Sequence, residues 1–457
     1  MNKKISYPGS LHNHSEDSNE RLRDCVIRIP ELIDRAIELG HEVVALTDHE
    51  SISGAIKAER YYRKVKENHP DFKFIQGNEI YLCRNGLNAS NFVVGRDKYY
   101  HFILLAKDAI GHEQIRELST RAGLRSYMAR GMRRMPTYYQ DLIDIITPNQ
   151  GHVIGLTACL AGSLPTQLLR YRETNDQNLL QKIYLWIEQM DNLFGHGNFF
   201  FEMQPSDNEE QIYVNKKLFE LAAKFNIDYV ITTDSHYLKK EDRVVHRTFL
   251  NAQDGEREVD SFYATTYLMD TSEIEHYFHY FSNEQLQTAY RNILKIKNMC
   301  QDFSLLRPLR IPELYWKNFP VDEEMYNQLK NDIPYLETFY NSDYQGDKKL
   351  VWAILDGMKH KEGLQSKRAY EEINICLDDV WRSSIKNNVH WSAYLLNLQK
   401  NIDLCWEAGS LVGPGRGSGG GFILLYILDI IQINSLREET QVYHWRFLNP
   451  ERASVLD

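Results

Sequence analysis

The first 240 or so residues alternate short β-branched and aromatic runs with segments of helical periodicity. Residues 28–40 (RIPELIDRAIELG) predict a helix, because Pro30 stands near the start, apolar residues recur at helical spacing and Gly40 follows. A second helical pattern covers residues 214–227. Strands are predicted at residues 43–47, 72–82, 99–106, 152–157, 198–204 and 228–233. Repeated strand–helix units predict an α/β fold with a mostly parallel sheet, closed or nearly closed into a distorted (β/α) barrel.

The pattern changes near residue 270. Long, polar, tyrosine-rich helical segments follow, for example residues 282–300 and 392–409, and the last fifty residues return to glycine and β-branched residues. We therefore expect two domains, residues 1–270 and residues 271–457, the second of them mostly helical at its start.

Composition is that of an ordinary soluble protein, with 43% hydrophobic and 25% charged residues in 457. No apolar run approaches the length of about 18 residues that a membrane span needs. The start, MNKKISYPGS, lacks the apolar stretch of a secretory signal. The six cysteines form no CxxC pair, which is typical of reduced thiols. A cytoplasmic location without membrane association is expected.

The net charge of −10 disfavours a surface that binds nucleic acid everywhere, but it leaves local binding open. One basic stretch stands out, since residues 119–140 contain no acidic residue. Its arginines are Arg121, Arg125, Arg130, Arg133 and Arg134. They predict either contacts with a DNA phosphate backbone or simply a solvated helix face.

Polar residues able to bind metals recur where the predicted strands end. His12 and His14 lie two apart in LHNH, so on a strand both side chains point to the same side. The other candidates are Asp48, His49, Glu79, His101, Cys159, Asp234 and His236. In α/β barrels the carboxyl ends of strands meet at one rim, which brings such residues together. Imidazoles, carboxylates and a thiolate suit Zn²⁺, Mn²⁺ or Fe²⁺ better than Mg²⁺ or Ca²⁺.

The segments LHNHSEDS, ALTDHE, GNEIYL, HFILLAKD, LTACLAG and TTDSHYL resemble the successive motifs of the polymerase-and-histidinol-phosphatase (PHP) domain. Their order and phrasing are those of the PHP domain that begins bacterial C-family replicative DNA polymerases, the polymerase III alpha subunits. The family's first motif has an aspartate after the second histidine. Here HSEDSNERLRDC is about three residues longer, and counting back from the helix PELI makes Asp24 the match instead of Asp17.

The resemblance implies nine metal-ligand positions. They fall on His12, His14, Asp24, His49, Glu79, His101, Cys159, Asp234 and His236, all of which hold ligand-type residues. Glu79 is the candidate for a catalytic, bridging carboxylate, and Asp48 for a group that orients a ligand. A di- or trinuclear site of this kind supports phosphoester hydrolysis. In replicative polymerases it implies a 3′–5′ exonuclease, or a structural role where ligands are lost.

Near the C-terminus stands LVGPGRGSGGGFILLYILDI, residues 411–430. A glycine-rich turn before a helix lets backbone N–H groups approach phosphates, although a bare glycine cluster is also typical of a flexible loop. With ILDIIQINSL and HWRFLNPERASVLD after it, the segment resembles the palm of C-family polymerases. There GPGRGS-type residues hold the incoming nucleotide, which implies that role for Gly415, Arg416, Gly417 and Ser418. The family usually has alanines where Gly419 and Gly420 stand, and a proline at Leu456.

The palm of the family carries an Asp-x-Asp pair that holds two Mg²⁺ ions for nucleotidyl transfer. Asp457 aligns with the first of these catalytic aspartates and is the last residue of this sequence. The chain is therefore expected to contain an incomplete nucleotidyltransferase palm, and by itself not to polymerise nucleotides.

The function implied is that of the N-terminal portion of a polymerase III alpha subunit. Its parent would synthesise DNA on a template, with DNA, deoxynucleoside triphosphates and other replisome subunits as partners. Two alternatives remain open. One is a stand-alone PHP phosphoesterase acting on small phosphate esters, which leaves GPGRGSGGG unexplained. The other is a non-catalytic scaffold in which the metals hold the barrel together.

Overall fold

The computed structural model of the protein describes residues 4–20, 22–83, 99–129, 132–252, 262–308, 310–313, 319, 321–437 and 442–452. Arg130 and Asp457, both predicted to be functional, lie outside these ranges. The chain forms two compact units, Met1–Leu306 and Arg307–Asp457. The first unit extends past the predicted boundary at residue 270, because the helix that follows packs its buried face on the barrel core. The division into functional domains at residue 270 stays a prediction.

The strands of the first unit form one large mixed sheet and a small hairpin. In chain order they are β1 Val43–Leu46, β2 Lys73–Cys83, β3 Tyr99–Ala106, β4 Tyr127–Ala129, β5 Met132–Arg134, β6 Thr137–Tyr138, β7 Val153–Leu156, β8 Phe199–Met203 and β9 Tyr229–Ile231. The large sheet has the order β1-β2-β3-β7-β8-β9, with β6 beside β2, and the hairpin pairs β4 with β5. β3 runs antiparallel to both neighbours, whereas β1–β2, β2–β6, β7–β8 and β8–β9 are parallel.

Helices connect the strands and cover the outside of the sheet. In the first unit they are α1 Ile29–Glu38, α2 Ala55–Asn68, α3 Ala109–Leu124, α4 Tyr139–Ile146, α5 Ser163–Thr174, α6 Gln177–Phe194, α7 Glu209–Phe225, α8 Arg243–Asn251, α9 Thr271–Tyr277 and α10 Asn283–Met299. Side chains cap several of them, such as Asp108 before α3 and Asn208 before α7. No described helix is both long and apolar enough to cross a membrane.

An N-terminal segment, residues 8–14, bridges the first and last strands of the sheet. On one side the N–H groups of Ala45 and Thr47 donate to the carbonyls of Ser10 and Asn13. On the other side the N–H of His14 donates to the carbonyl of Ser235, just beyond β9. The curled sheet is thereby nearly closed, which confirms the predicted distorted α/β barrel.

The second unit is helical in its described part, which contains no strand. Its helices are α11 Glu323–Leu329, α12 Tyr335–Tyr340, α13 Gln345–His360, α14 Lys367–Asn387, α15 Trp391–Glu407 and α16 Ile423–Ile427. They enclose a core of their own, separate from that of the barrel. The predicted helical segment is therefore confirmed, and the β-branched residues near the C-terminus form no strand among residues 421–437 and 442–452.

Two glycines of α3 offer a matched test of packing between this helix and the sheet. A Cβ atom at Gly111 would lie 1.9 Å from the carbonyl oxygen of His152, whereas a Cβ at Gly123 would meet nothing within 4 Å. We expect Gly111→Ala to lower the free energy of unfolding of the first unit by about 1–3 kcal/mol, because a rigid backbone atom must move. Gly123→Ala should raise it by about 0.5–1 kcal/mol.

Calorimetric unfolding of the full chain measures both changes. A Gly111→Ala variant as stable as the unmodified chain would show that α3 is not seated against the start of β7.

Candidate metal centre

Glu79 lies at the centre of the barrel rim, on the long strand β2, and is fully buried. Its Oε2 atom is 2.5 Å from Nδ1 of His49, which follows β1. Its Oε1 atom is 2.7 Å from Nδ1 of His101 on β3. Because β1 and β3 flank β2 in the sheet, these three side chains converge from neighbouring strands.

The N-terminal segment, residues 8–14, supplies two more imidazoles on one side of the chain. Nε2 of His12 and Nε2 of His14 each lie 3.1 Å from the same oxygen, Oδ1 of Asp234. They also lie 3.6 Å and 3.5 Å from the two oxygens of Glu79. The spacing of two residues in LHNH therefore places both rings in one buried cluster, as the sequence predicts.

Asp24 and His236 complete the opposite side of the cluster. Oδ2 of Asp24 is 3.3 Å from Nε2 of His49 and 3.4 Å from Nε2 of His236. Asp17 pairs with Lys57 at 2.9 Å instead. This geometry supports Asp24 over Asp17 as the aspartate of the first motif.

Cys159 lies at the edge of the cluster. Its Sγ atom is 3.5 Å from Nδ1 of His101, and the side chain is buried. Burial, together with the charges of Asp234 and Glu79, raises the pKa of the Cys159 thiol well above its ordinary value. A cation in contact with the sulfur would be needed to deprotonate it.

Seven of the nine predicted ligands fall into three overlapping groups whose ligand atoms lie within 4.8 Å of one another. The groups are His14, His49 and His236; His12, His14 and Asp234; and His49, Glu79 and His101. Asp24 and Cys159 contact members of these groups. Both buried oxygens of Glu79 lack a well-aligned hydrogen bond despite their close imidazoles. Donor atoms that converge without aligned hydrogen bonds fit shared metal ions.

Buried carboxylates make the cluster strongly attractive to cations. Burial alone would lower the pKa of His12, but Asp234 and Glu202 raise it to about 9. Glu79 and Asp24 likewise outweigh burial and raise the pKa of His49 to about 10. Burial and the neighbouring rings of His49 and His236 instead lower the pKa of His14 to about 3. The carboxylates therefore favour the protonated form of several of these imidazoles, and a metal ion that binds here would replace those protons.

The backbone turns sharply at three strand ends around this cluster. Glu50, Ala158 and Asp234 have φ values of 50°, 59° and 48°, in the left-handed region that non-glycine residues rarely adopt. Each lies at, or next to, a predicted ligand position. Such strained residues concentrate at functional sites, where the surrounding structure holds them.

Two buried carboxylates orient the cluster from outside. Asp48 accepts hydrogen bonds from the N–H of Ser15 at 2.6 Å and from the hydroxyl of Ser18 at 2.7 Å, and Ser18 in turn contacts His14. This agrees with the predicted orienting role of Asp48. Burial raises the pKa of Asp48 to about 6 although these hydrogen bonds oppose the shift.

Glu202 on β8 is the second orienting carboxylate, and sequence reasoning missed it. Its Oε1 accepts hydrogen bonds from Nδ1–H of His12 at 2.6 Å and from the hydroxyl of Thr232 at 2.6 Å. The bond fixes the His12 tautomer that presents Nε2 to the cluster. A single glutamate in the apolar run FFFEM was the available signal.

Tyr263 is another contact that sequence reasoning missed. Its hydroxyl donates to Oδ2 of Asp24 at 3.0 Å, from a turn that lies after α8.

The basic stretch is partly neutralised. Arg125 forms a two-pronged ion pair with Asp141 at 2.5 and 2.7 Å, and Arg121 pairs with Glu117 at 3.0 Å. Asp141 lies one residue beyond the stretch, so the absence of acids within residues 119–140 was misleading. Arg133 and Arg134 lie instead on the β4–β5 hairpin. The guanidinium of Arg134 is 5.7 Å from the ring centre of Tyr99, two residues before His101.

The glycine-rich segment leads into a short turn. Residues Gly417–Gly421 form a 3₁₀ helix, and α16 after it has only five residues. The sequence predicts that a helix begins after the glycine-rich turn, and the helix found there is short. Arg416 is exposed, while Gly419, Gly420 and Gly421 are buried. A Cβ atom at Gly421 would lie 2.5 Å from the carbonyl oxygen of Val442, so this position requires glycine.

Two protein families match separate parts of the chain. "PHP domain" matches residues 10–206, and "Bacterial DNA polymerase III alpha NTPase domain" matches residues 360–457.

Curated relatives match across both parts. A "DNA-directed DNA polymerase" of Bacillus phage SPbeta is 34% identical over 467 residues, covering 98% of this chain and 36% of that protein. A "DNA polymerase III subunit alpha" of Aquifex aeolicus is 27% identical, covering 98% and 35%. The chain therefore spans about a third of the length of these relatives. Among solved structures, an amidohydrolase of Chromobacterium violaceum covers 50% of this chain and 87% of its own at 15% identity, with a TM-score of 0.30.

The two aspartates of the first motif provide a matched pair of variants. After dialysis, we expect the purified chain to retain two or three transition-metal ions, and Asp24→Asn to lose at least one of them. Asp17→Asn should retain them all, because Asp17 pairs with Lys57 on the surface. Elemental analysis of folded protein measures the stoichiometry. Less than one ion per folded, unmodified chain would contradict the metal centre.

Replacing Glu202 tests the orienting role separately from direct ligation. Glu202→Gln should weaken Zn²⁺ or Mn²⁺ binding about 10- to 100-fold, since the charge that holds His12 is lost. Calorimetric titration of the chelator-treated protein measures this change. Glu59→Gln is the control, because Glu59 is also buried but contacts Arg63 and Ser304 instead of a predicted ligand. Equal affinities in the two variants would exclude the orienting role.

Proposed function

We propose that this chain, which joins a PHP domain to part of the NTPase domain of bacterial polymerase III alpha subunits, is the N-terminal portion of a DNA polymerase. Its PHP domain would hydrolyse phosphodiesters at DNA 3′ ends, as a metal-dependent 3′–5′ exonuclease. Support for the polymerase assignment comes from relatives named as DNA polymerases, which match 98% of the chain.

One observation carries the hydrolase assignment. Seven ligand-type side chains, six of them buried, come together from the N-terminal segment and from several strand ends, with Glu79 and Asp234 among them. The mixture of imidazoles and carboxylates favours Zn²⁺, Mn²⁺ or Fe²⁺. Bound divalent ions of this kind polarise phosphoryl oxygens and lower the pKa of a coordinated water.

The residues of the chain itself would bind the ions, orient a ligand and exclude water. Glu79, which faces both His49 and His101, would be shared between adjacent ions. Glu202 would hold His12 in the tautomer that binds a cation. Exclusion of bulk water by the buried cluster strengthens each of these electrostatic contacts.

A DNA end is favoured over a small phosphate ester by the β4–β5 hairpin. Arg133 and Arg134 lie on this hairpin, and Arg134 contacts Tyr99 near the ligand His101. Arg121 and Arg125 contribute less, because Glu117 and Asp141 pair with them. We assign the phosphate-backbone contacts to Arg133 and Arg134, because their hairpin lies near the predicted ligand His101.

The second unit would serve nucleotide binding in the parent polymerase. Gly415, Arg416, Gly417 and Ser418 would hold a deoxynucleoside triphosphate, with Mg²⁺ supporting the transfer chemistry, to which Asp457 would contribute. Support comes from the family match over residues 360–457. DNA and other replisome subunits would be partners, in the cytoplasm.

A salt series distinguishes the proposed substrate from a small ester. We expect Mn²⁺-supported release of nucleotides from single-stranded DNA to fall steeply with ionic strength, because several phosphates are contacted. Hydrolysis of histidinol phosphate should depend much less on salt. The double change Arg133→Ala and Arg134→Ala should weaken DNA hydrolysis about tenfold at low salt and spare the small ester.

A double change of Arg116→Ala and Arg291→Ala is the control. It removes the same charge from two exposed arginines that pair with Glu113 and Glu284. A preference for histidinol phosphate would favour a small-ester phosphoesterase. Metal binding without hydrolysis of either substrate would favour a scaffold. Loss of DNA hydrolysis in the control alone would overturn the role of the hairpin.

A further inference from the structure

A pocket of about 170 Å³ opens in the first unit beside the metal centre. We call it the rim pocket; its lining includes Leu160, Gln204, Gln211, Thr233, Phe262 and Thr266. Leu160, Gln204 and Thr233 follow strands β7, β8 and β9 at their carboxyl ends. The pocket therefore lies on the same rim of the barrel as the predicted ligands.

Four of these residues connect directly to the metal centre. Leu160 and Thr233 are the chain neighbours of the predicted ligands Cys159 and Asp234. The carbonyl of Thr266 accepts a hydrogen bond from the N–H of His236 at 2.8 Å. Gln204 donates to Oε1 of Glu202 at 3.0 Å, the atom that also holds His12. A group bound in the rim pocket would thus lie next to residues that contact the metal centre.

The lining of the rim pocket is polar but nearly uncharged. Amides and hydroxyls predominate, Glu210 is its one carboxylate among the described residues, and none of these is lysine or arginine. Such a lining does not suit a phosphate, which requires cationic partners. It suits a neutral ring with hydrogen-bonding edges.

Phe262 supplies a face on which such a ring could stack. Its side chain is 37% exposed although it is apolar, and its ring packs edge-on against Tyr263 at 4.9 Å. Tyr263 in turn donates to Asp24 in the metal cluster. Bases of single-stranded nucleic acids are commonly bound by stacking on aromatic side chains.

We propose that the rim pocket binds the base of the 3′-terminal nucleotide while its phosphate lies at the metal centre. The volume is below the 300 Å³ or so of pockets for drug-sized ligands, so it suits one ring system and not an oligonucleotide. The carboxylate of Glu210 at the pocket would repel a further phosphate, which favours a terminal nucleotide over an internal one. This inference rests on the proposed function.

Binding of the reaction product tests the proposal without requiring catalysis. Deoxythymidine 5′-monophosphate is titrated calorimetrically into the Mn²⁺-loaded full chain and compared with deoxyribose 5-phosphate, which lacks the base. We expect the nucleotide to bind at least tenfold more tightly. Phe262→Ala should weaken nucleotide binding about tenfold, leaving deoxyribose 5-phosphate and the metal content unchanged.

Leu185→Ala is the control, since it truncates an exposed apolar side chain on α6, away from the pocket, and should change neither affinity. Equal affinity for the two ligands, or an equal effect of Phe262→Ala on both, would overturn the base pocket. DNA cleavage with base-independent binding would overturn this inference alone. Base-dependent binding without any DNA cleavage would uphold the pocket and overturn the exonuclease instead.

Discussion

The buried carboxylate of Glu79 is the constraint on which the barrel unit depends. Its side chain is fully shielded from water, and an isolated buried carboxylate would cost several kcal/mol of folding free energy. His49 and His101 offset that cost only if β1, β2 and β3 keep one register, because each imidazole comes from a different chain segment. Asp24 and Asp234 add further buried negative charge, which protonated imidazoles or bound metal ions offset. Metal binding and correct assembly of the sheet are therefore thermodynamically coupled.

Closure of the barrel depends on the N-terminal segment, and Asn13 explains how its seven residues can close the sheet. Asn13 lies between the two histidines of LHNH and points away from them. Its side-chain amide donates to the carbonyls of Ser10 and Ala45, while its backbone N–H donates to the hydroxyl of Thr47. These bonds fasten the segment to β1 on one side, and Ser235 pairs with it on the other. The same contacts that close the sheet thus aim His12 and His14 at the cluster.

The second unit is organised on a different basis. Its core is a set of packed helices, and close backbone approach between them is one of its organising features. A Cβ atom at Gly357 in α13 would lie 2.1 Å from the carbonyl oxygen of Ile427 in α16. Gly421 makes a similar approach to Val442. Glycine at these positions lets α13 approach α16 and lets the glycine-rich turn approach the segment at Val442, so the turn depends on glycine at particular points and not on glycine content alone.

The sequence by itself determined six of the nine strands and most of the cluster. Strand–helix alternation located β1, β2, β3, β7, β8 and β9, and HxH spacing with polar residues at strand ends identified the ligand-type side chains, because these are local periodic patterns. Only the tertiary structure decided which distant groups meet. In the sequence Glu202 is a single glutamate in an apolar strand. Its partner His12 is 190 residues away along the chain. Asp141 neutralises Arg125 across a turn, and residues 8–14 are too short and irregular to read as a closing strand. Pairing of this kind depends on register and chain path, which no local pattern encodes.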